Sequence, residues 1–198
     1  LDRQARGNAV DLILFNDGPV HINVIVELTQ ATNAGFSPAI IGSKYPHLLA
    51  PGSSRRITTA VPLKQGKPAQ FSYRLKHAFG DPSATPKLDH VYRLPIPDGS
   101  RGVVRPYTGA YTNNYLVETA NAIEILLPIG TPVVASRAGI VINAKGRSGE
   151  ADGETPSSVG NMVSILHDDG TWGTYGWLAN DSLIVKPGDR VEVGQRIA

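Results

Sequence analysis

Apolar residues recur at every second position through much of the chain, the period of a strand with one buried face. In NAVDLILFN (residues 8–16) the apolar set is Val10, Leu12 and Leu14, and in VHINVIVEL (20–28) it is Val20, Ile22, Val24 and Val26. The intervening NDGP is turn chemistry, so the two runs are expected to pair as a hairpin. After a loop, ATNAGFSP, come a short run at Ala39–Ile41, a strand carrying Ile57 behind a Pro-Gly turn, and QFSYRLKHAFGD, where Phe71, Tyr73 and Leu75 share a face. Short strands with turn punctuation predict a small β-sandwich.

The stretch YRLPIPDGSRGVVR, Tyr92 to Arg105, is rich in Pro and Gly and separates two differently patterned halves, which makes it the expected domain boundary. Beyond it, Ala122–Leu127, Thr131–Ala135 and Gly139–Ile142 are short β-branched runs broken by PIG and RAG, and Lys145–Gly160 reads as an exposed Gly/Ser/Glu-rich loop. NMVSILHDDGTWGTYGWL places two strands around Asp169-Gly170, a two-residue hairpin signal that would set His167 opposite Trp172 and Met162 opposite Trp177. SLIVKPGDRVEVGQRIA repeats strand, Pro-Gly-Asp turn and Val-x-Val alternation and stops at Ala198. A sheet ending there exposes an edge, so a further segment is expected to follow. The expected fold is all-β: an immunoglobulin-like β-sandwich over residues 1–93, then a second β-sheet domain over 94–198, truncated at its C-terminal end.

Composition agrees, since 21 Gly and 15 Pro among 198 residues suit many turns better than long helices. The net charge of +2 conceals eleven Lys/Arg against six Asp/Glu in residues 1–95 and eight against eleven in 96–198. A basic half without a clustered Arg/Lys stripe interleaved with aromatics argues against nucleic acid as a partner. The absence of cysteine excludes disulfides and thiolate metal sites. No apolar run reaches the ~18 residues of a membrane span, and the start resembles a trimmed mature terminus, not a signal peptide.

The ordered set LPIGTPVVASRAGIV, GNMVSILHDDGTWGTYGWL and VKPGDRVEVGQRIA, spanning about Leu94 to Ala198, resembles the M23 (LytM or lysostaphin-like) peptidases, zinc endopeptidases that cut peptide cross-links in bacterial peptidoglycan. Some members of that family carry an N-terminal β-sandwich, which residues 8–93 resemble, and the implied setting is the bacterial envelope, periplasmic or secreted. The resemblance implies a zinc held by a His and an Asp from the first part of the domain and by the second His of a late His-x-His. The first His of that pair and another His, in a Tyr-x-His-Leu segment, assist catalysis. Here the aromatic-Ser-His segment matches Tyr111-Thr112-Asn113, so Asn113 stands for the His; Glu124 stands for the Asp; and Tyr175-Gly176-Trp177-Leu178 puts Trp177 at the assisting His. The His-x-His would fall beyond Ala198.

These departures bear on chemistry. A hydrolytic zinc needs about three N/O protein ligands and an open position for the water it acidifies. An Asn oxygen suits harder cations than zinc, and Glu124 keeps a carboxylate but moves it by a methylene. Trp177 offers only an indole N–H, which accepts no proton and ligates no metal. Asn113, Glu124, Tyr175 and Trp177 are thus the residues of a groove expected to hold no metal and to carry no catalytic group, with Trp177 filling the place where a zinc-bound water would work.

The other candidates read as structural. His167 is expected to be a sheet-face or turn histidine packed by Trp172. His21, His47, His77 and His90 match no ligand spacing, Asp168-Asp169 is turn chemistry, and LPIGTP and KPGD lack the Lys-Ser end of a phosphate loop. The expected function is a non-catalytic envelope protein that binds peptidoglycan or regulates a cell-wall hydrolase, without a cofactor. The alternatives are an active zinc endopeptidase with an altered site and a structural or adhesive module whose working surface is the sandwich.

Overall fold

The computed structural model describes residues 1–39, 46–106, 122–146 and 160–198, and contains strands and no helix among them. Those residues group into two compact units, Leu1–Lys87 with Asp168–Thr171 and Leu88–His167 with Trp172–Ala198.

In the first unit the strands are β1 (Asp2–Arg6), β2 (Ala9–Asn16), β3 (Ile22–Thr32), β4 (Ala34–Ser37), β5 (His47–Leu49), β6 (Ser53–Pro62) and β7 (Gln70–Phe79). They form one sheet of order β1-β2-β6-β4 and another of order β5-β3-β7, with antiparallel pairing throughout. Leu12, Leu14, Ile57 and Ala60 from the first sheet meet Val24, Val26, Leu49 and Phe71 from the second in one buried cluster. The alternation read from the sequence is the inward face of each sheet, and each fully buried aliphatic contributes ~1.5–3 kcal/mol through removal from water.

The hairpin expected across NDGP does not form: β2 and β3 lie in different sheets. The connection crosses between layers and is fixed by Asn16, whose buried amide donates to Val20 O (2.8 Å) and Leu49 O (3.0 Å) while its Oδ1 accepts from Gly18 N (3.1 Å). ATNAGFSP is likewise not a loop. Asn33, at φ 54°, turns the chain out of β3 directly into β4; its Oδ1 accepts from Lys64 N at 2.7 Å and its Nδ2 donates to Lys67 O at 2.9 Å. Asparagine tolerates that left-handed backbone better than most residues, which lets the chain switch sheets at a single position. Of the face Phe71, Tyr73 and Leu75, the first two pack on the core and Leu75 is exposed. Most of Ala39–Ile41 lies outside the described residues.

In the second unit, β8 (Val103–Pro106) pairs with β9 (Ile123–Leu126) as a two-stranded ribbon. The larger sheet has the order β12-β11-β10-β13, with β10 (Gly139–Lys145), β11 (Asn161–Leu166), β12 (Trp172–Leu178) and β13 (Arg190–Val191). Ala135, Val141, Val163, Ile165, Val191 and Ile197 form its core. Thr131–Ala135 is not a strand. It makes one bridge, Val134 to Arg196, and exchanges backbone hydrogen bonds with 194–198, including Ala135 N to Gln195 O at 2.8 Å and Ile197 N to Val133 O at 2.8 Å. In the last segment only Arg190–Val191 is strand, because Ile184, Gly188 and Gly194 bond singly to Ile197, Val141 and Ala135 instead of forming a ladder. Apart from Lys145, Gly146 and Gly160, the expected loop Lys145–Gly160 lies outside the described residues.

Candidate functional site

β11 and β12 form the antiparallel hairpin that carries two of the four expected groove residues. Its register is Leu166↔Trp172, Ile165↔Gly173, Ser164↔Thr174 and Val163↔Tyr175. The connection is therefore five residues, 167–171, not the two-residue turn expected, and His167 and Trp172 are not partners. Asp169 explains the wider loop: its Oδ1 accepts from Thr171 N (3.1 Å) and Thr171 Oγ1 (2.6 Å), an Asx-type turn that closes within the loop. Both aspartates thus lie in turn structure. His167 is buried, and its Nδ1 lies 2.9 Å from Ala138 O. A carbonyl only accepts, so Nδ1 carries the proton of that bond. The aromatic ring packed on His167 is Tyr92, at 5.9 Å and an interplanar angle of 67°, where Trp172 was expected.

After Val163↔Tyr175 the ladder slips, and it resumes at Asn161↔Leu178. One residue, Met162, is then opposed by two, Gly176 and Trp177, which is a β-bulge. Trp177 sits in it at φ 59°, one of three non-glycine residues at positive φ among the described ones. For a bulky side chain this left-handed conformation costs ~1–2 kcal/mol. Asn161 braces the bulge from the partner strand, donating through Nδ2 to Leu178 O (3.0 Å) and Asn180 Oδ1 (2.6 Å).

The bulge decides which way the side chains face. Tyr175 and Leu178 both pack on the core of the second unit, so Gly176 and Trp177 together occupy the single intervening outward position. Trp177 is 63% exposed, so it does not fill a pocket; it stands on the outer face of the sheet. Tyr175, on the inner face, is anchored through its hydroxyl, which accepts from Ser136 N at 2.7 Å. The tyrosine is a brace between β12 and the 133–136 segment, not an open groove residue.

Glu124 lies on β9 directly opposite Arg105 on β8, and Arg105 Nε donates to its Oε2 at 2.6 Å. The hydrogen bond and the adjacent carboxylate hold the guanidinium pKa above its usual value. The Glu124 carboxylate is thereby already paired with a cation, and a metal ion bound there would have to displace or share with it. Asn113 lies outside the described residues. Among the described residues no three His, Cys, Asp or Glu side chains are grouped to hold a metal ion. The side chains described at two of the expected positions are an indole, which offers no lone pair to a metal, and an arginine-paired carboxylate.

Two features escaped the sequence reading. Arg105 closes the stretch expected to be the domain boundary, although the two β-branched residues before it, Val103 and Val104, are a strand signal. The left-handed bulge at Trp177 had one available signal, the glycine before it, since Gly within a strand pattern often marks a bulge.

No helix among the described residues is long and apolar enough to cross a membrane. No curated protein matches the chain. The model of peptidase family M23 matches residues 118–198, a span that includes Glu124, Tyr175 and Trp177 and begins after Asn113. The hairpin with its bulge, the β10–β13 pairing and the core of the second unit all fall within it, so residues 118–198 are similar to peptidase family M23.

Proposed function

We propose that this M23-like domain binds peptidoglycan, or a hydrolase that acts on it, without cleaving peptide bonds. The observation that carries the reading is Trp177, which occupies the backbone position of the family's Tyr-x-His-Leu histidine in a left-handed bulge and projects outward, 63% exposed. An indole can neither take a proton nor stabilise a developing charge as an imidazolium, and the loss of such a group costs ~10²–10⁴-fold in rate. The pairing of Glu124 with Arg105 at 2.6 Å supports the same conclusion from the metal side. Asn113, at the expected position of the family's other His, adds to it from the sequence. The chain then works in the bacterial envelope as a recognition module, periplasmic or secreted.

The test is incubation of the full-length protein with purified sacculi. The reading expects the protein to co-sediment with the sacculi, or to change the rate of an added amidase, while releasing no new peptide termini. Release of peptide termini by the protein alone would sink it. Binding confined to the isolated sandwich half would point instead to the structural or adhesive role.

A further inference from the structure

The chain holds two tryptophans, and both lie on one face of one strand. Val163 and Ile165 of β11 point into the core, so Met162, Ser164 and Leu166 point to the opposite face, and their partners on β12 share it. Trp172 pairs with Leu166, Thr174 with Ser164, and the Gly176–Trp177 bulge with Met162. Trp172 is 52% exposed and Trp177 63%. With the bulge taking up one step, the two indoles are about four strand residues apart, ~13 Å along β12.

We infer that this face, built around Trp172 and Trp177, binds a glycan strand, the sugar backbone of peptidoglycan as opposed to its peptides. The inference rests on the peptidoglycan-binding reading above and names the part of the polymer recognised. Exposed indole faces carry negative π-density, and the ring C–H groups of a pyranose are the matching weakly positive surface. A row of linked sugar rings lays such surfaces along a line, as β12 lays its indoles.

Charge points the same way. Between the two tryptophans the face is uncharged and polar: the exposed Thr174 hydroxyl lies 3.0 Å from that of Ser164, which is buried beneath it, and Asn143, opposite Ser164 on β10, donates toward Met162 Sδ at 3.6 Å. Two cations stand at opposite ends of the face, Lys145 opposite Met162 and Arg190 opposite Ile140 in the row of Leu166 and Trp172. A neutral polyol is matched by such a surface, whereas a stem peptide rich in carboxylates would call for a cluster of cations. The left-handed backbone at Trp177 adds an independent reason. The strain of ~1–2 kcal/mol is retained for a side chain that is mostly in solvent, and strain held at an exposed position is a mark of presentation to a ligand.

Because these are the two tryptophans of the chain, intrinsic fluorescence reads the proposed site directly. Titration of the full-length protein with an oligomer of N-acetylglucosamine, and with glycan strands stripped of their peptides, is expected to shift or quench the emission saturably. A glycine-rich cross-link peptide is expected to leave it unchanged. Trp172→Ala and Trp177→Ala are each expected to weaken glycan binding at least about tenfold, ~1.4 kcal/mol, with circular dichroism confirming retained folding. Trp177→Tyr, which keeps an aromatic face, should retain most of the affinity. Unchanged emission with stripped glycan while intact sacculi still bind would overturn the glycan assignment and leave the peptidoglycan reading standing. Equal binding of the peptide, or partition of the protein onto phospholipid vesicles through these tryptophans, would overturn it as well. Cleavage of the sacculi would defeat the underlying reading instead.

Discussion

Replacing Trp177 by Gly and by Ala separates what the side chain contributes from what its backbone costs. The residue is 63% exposed, so roughly a third of an indole that can bury ~250 Å² is covered, or ~90 Å². At ~25 cal/mol per Å² its removal costs at most ~2 kcal/mol, and less if the unfolded chain is compact. Both truncations lose that amount. Only Gly also relieves the left-handed conformation, worth ~1–2 kcal/mol, whereas in an ordinary strand Gly is ~0.5–1 kcal/mol worse than Ala. Trp177→Gly should therefore be the more stable of the two variants by about 1 kcal/mol, an inversion of the usual order. Each variant retains Trp172 as its one tryptophan, so urea unfolding followed by fluorescence reports the unit containing β12. If Trp177→Ala proves the more stable, the bulge does not hold position 177 left-handed and the argument from backbone strain falls.

Other substitutions test the frame around the site. A Cβ at Gly139 would drive into the Leu166 carbonyl oxygen and lie 2.7 Å from Ile165 Cγ2, so Gly139→Ala should destabilise the same unit by ~2–3 kcal/mol in urea unfolding. Tyr175→Phe removes the acceptor for Ser136 N and should cost ~1–1.5 kcal/mol by the same measurement, with no loss of sacculus binding. In the first unit, burial and then the charge of Arg55 lower the pKa of His47 below its ordinary value. The unfolded chain then takes up its proton first, so the folded state loses stability as pH falls through about 6.5 toward the lowered folded value. Above the ordinary value the contribution is fully present. His47→Gln should flatten that part of the pH profile, followed by circular dichroism.

Period-two alternation made the strands legible because it is a direct imprint of burial: Leu12, Leu14, Val24 and Val26 are in the core where the pattern put them. Pairing was less legible, since alternation states which face is buried and not which strand lies alongside. NDGP looks the same whether it closes a hairpin or crosses between sheets, and the difference rests on Asn16 reaching the Leu49 carbonyl 33 residues away. The Asp169 turn shows the same limit at short range, because Thr171 competing for the carboxylate widens a loop that Asp-Gly alone would close tightly. For the candidate site, the residue identities at Glu124 and Trp177 were readable, but their states were not. The arginine opposite Glu124 is set by β8–β9 register, and the outward aim of Trp177 is set by a bulge that no tryptophan would signal.

The central claim is that the family's metal chemistry has been given up in this domain, and zinc stoichiometry tests it most directly. The full-length protein, loaded with zinc and exhaustively dialysed, is expected to retain none, and the combined Asn113→His, Glu124→Asp and Trp177→His variant is expected to retain more. Stoichiometric zinc in the unaltered protein, together with cleavage of peptidoglycan cross-links, would contradict the account.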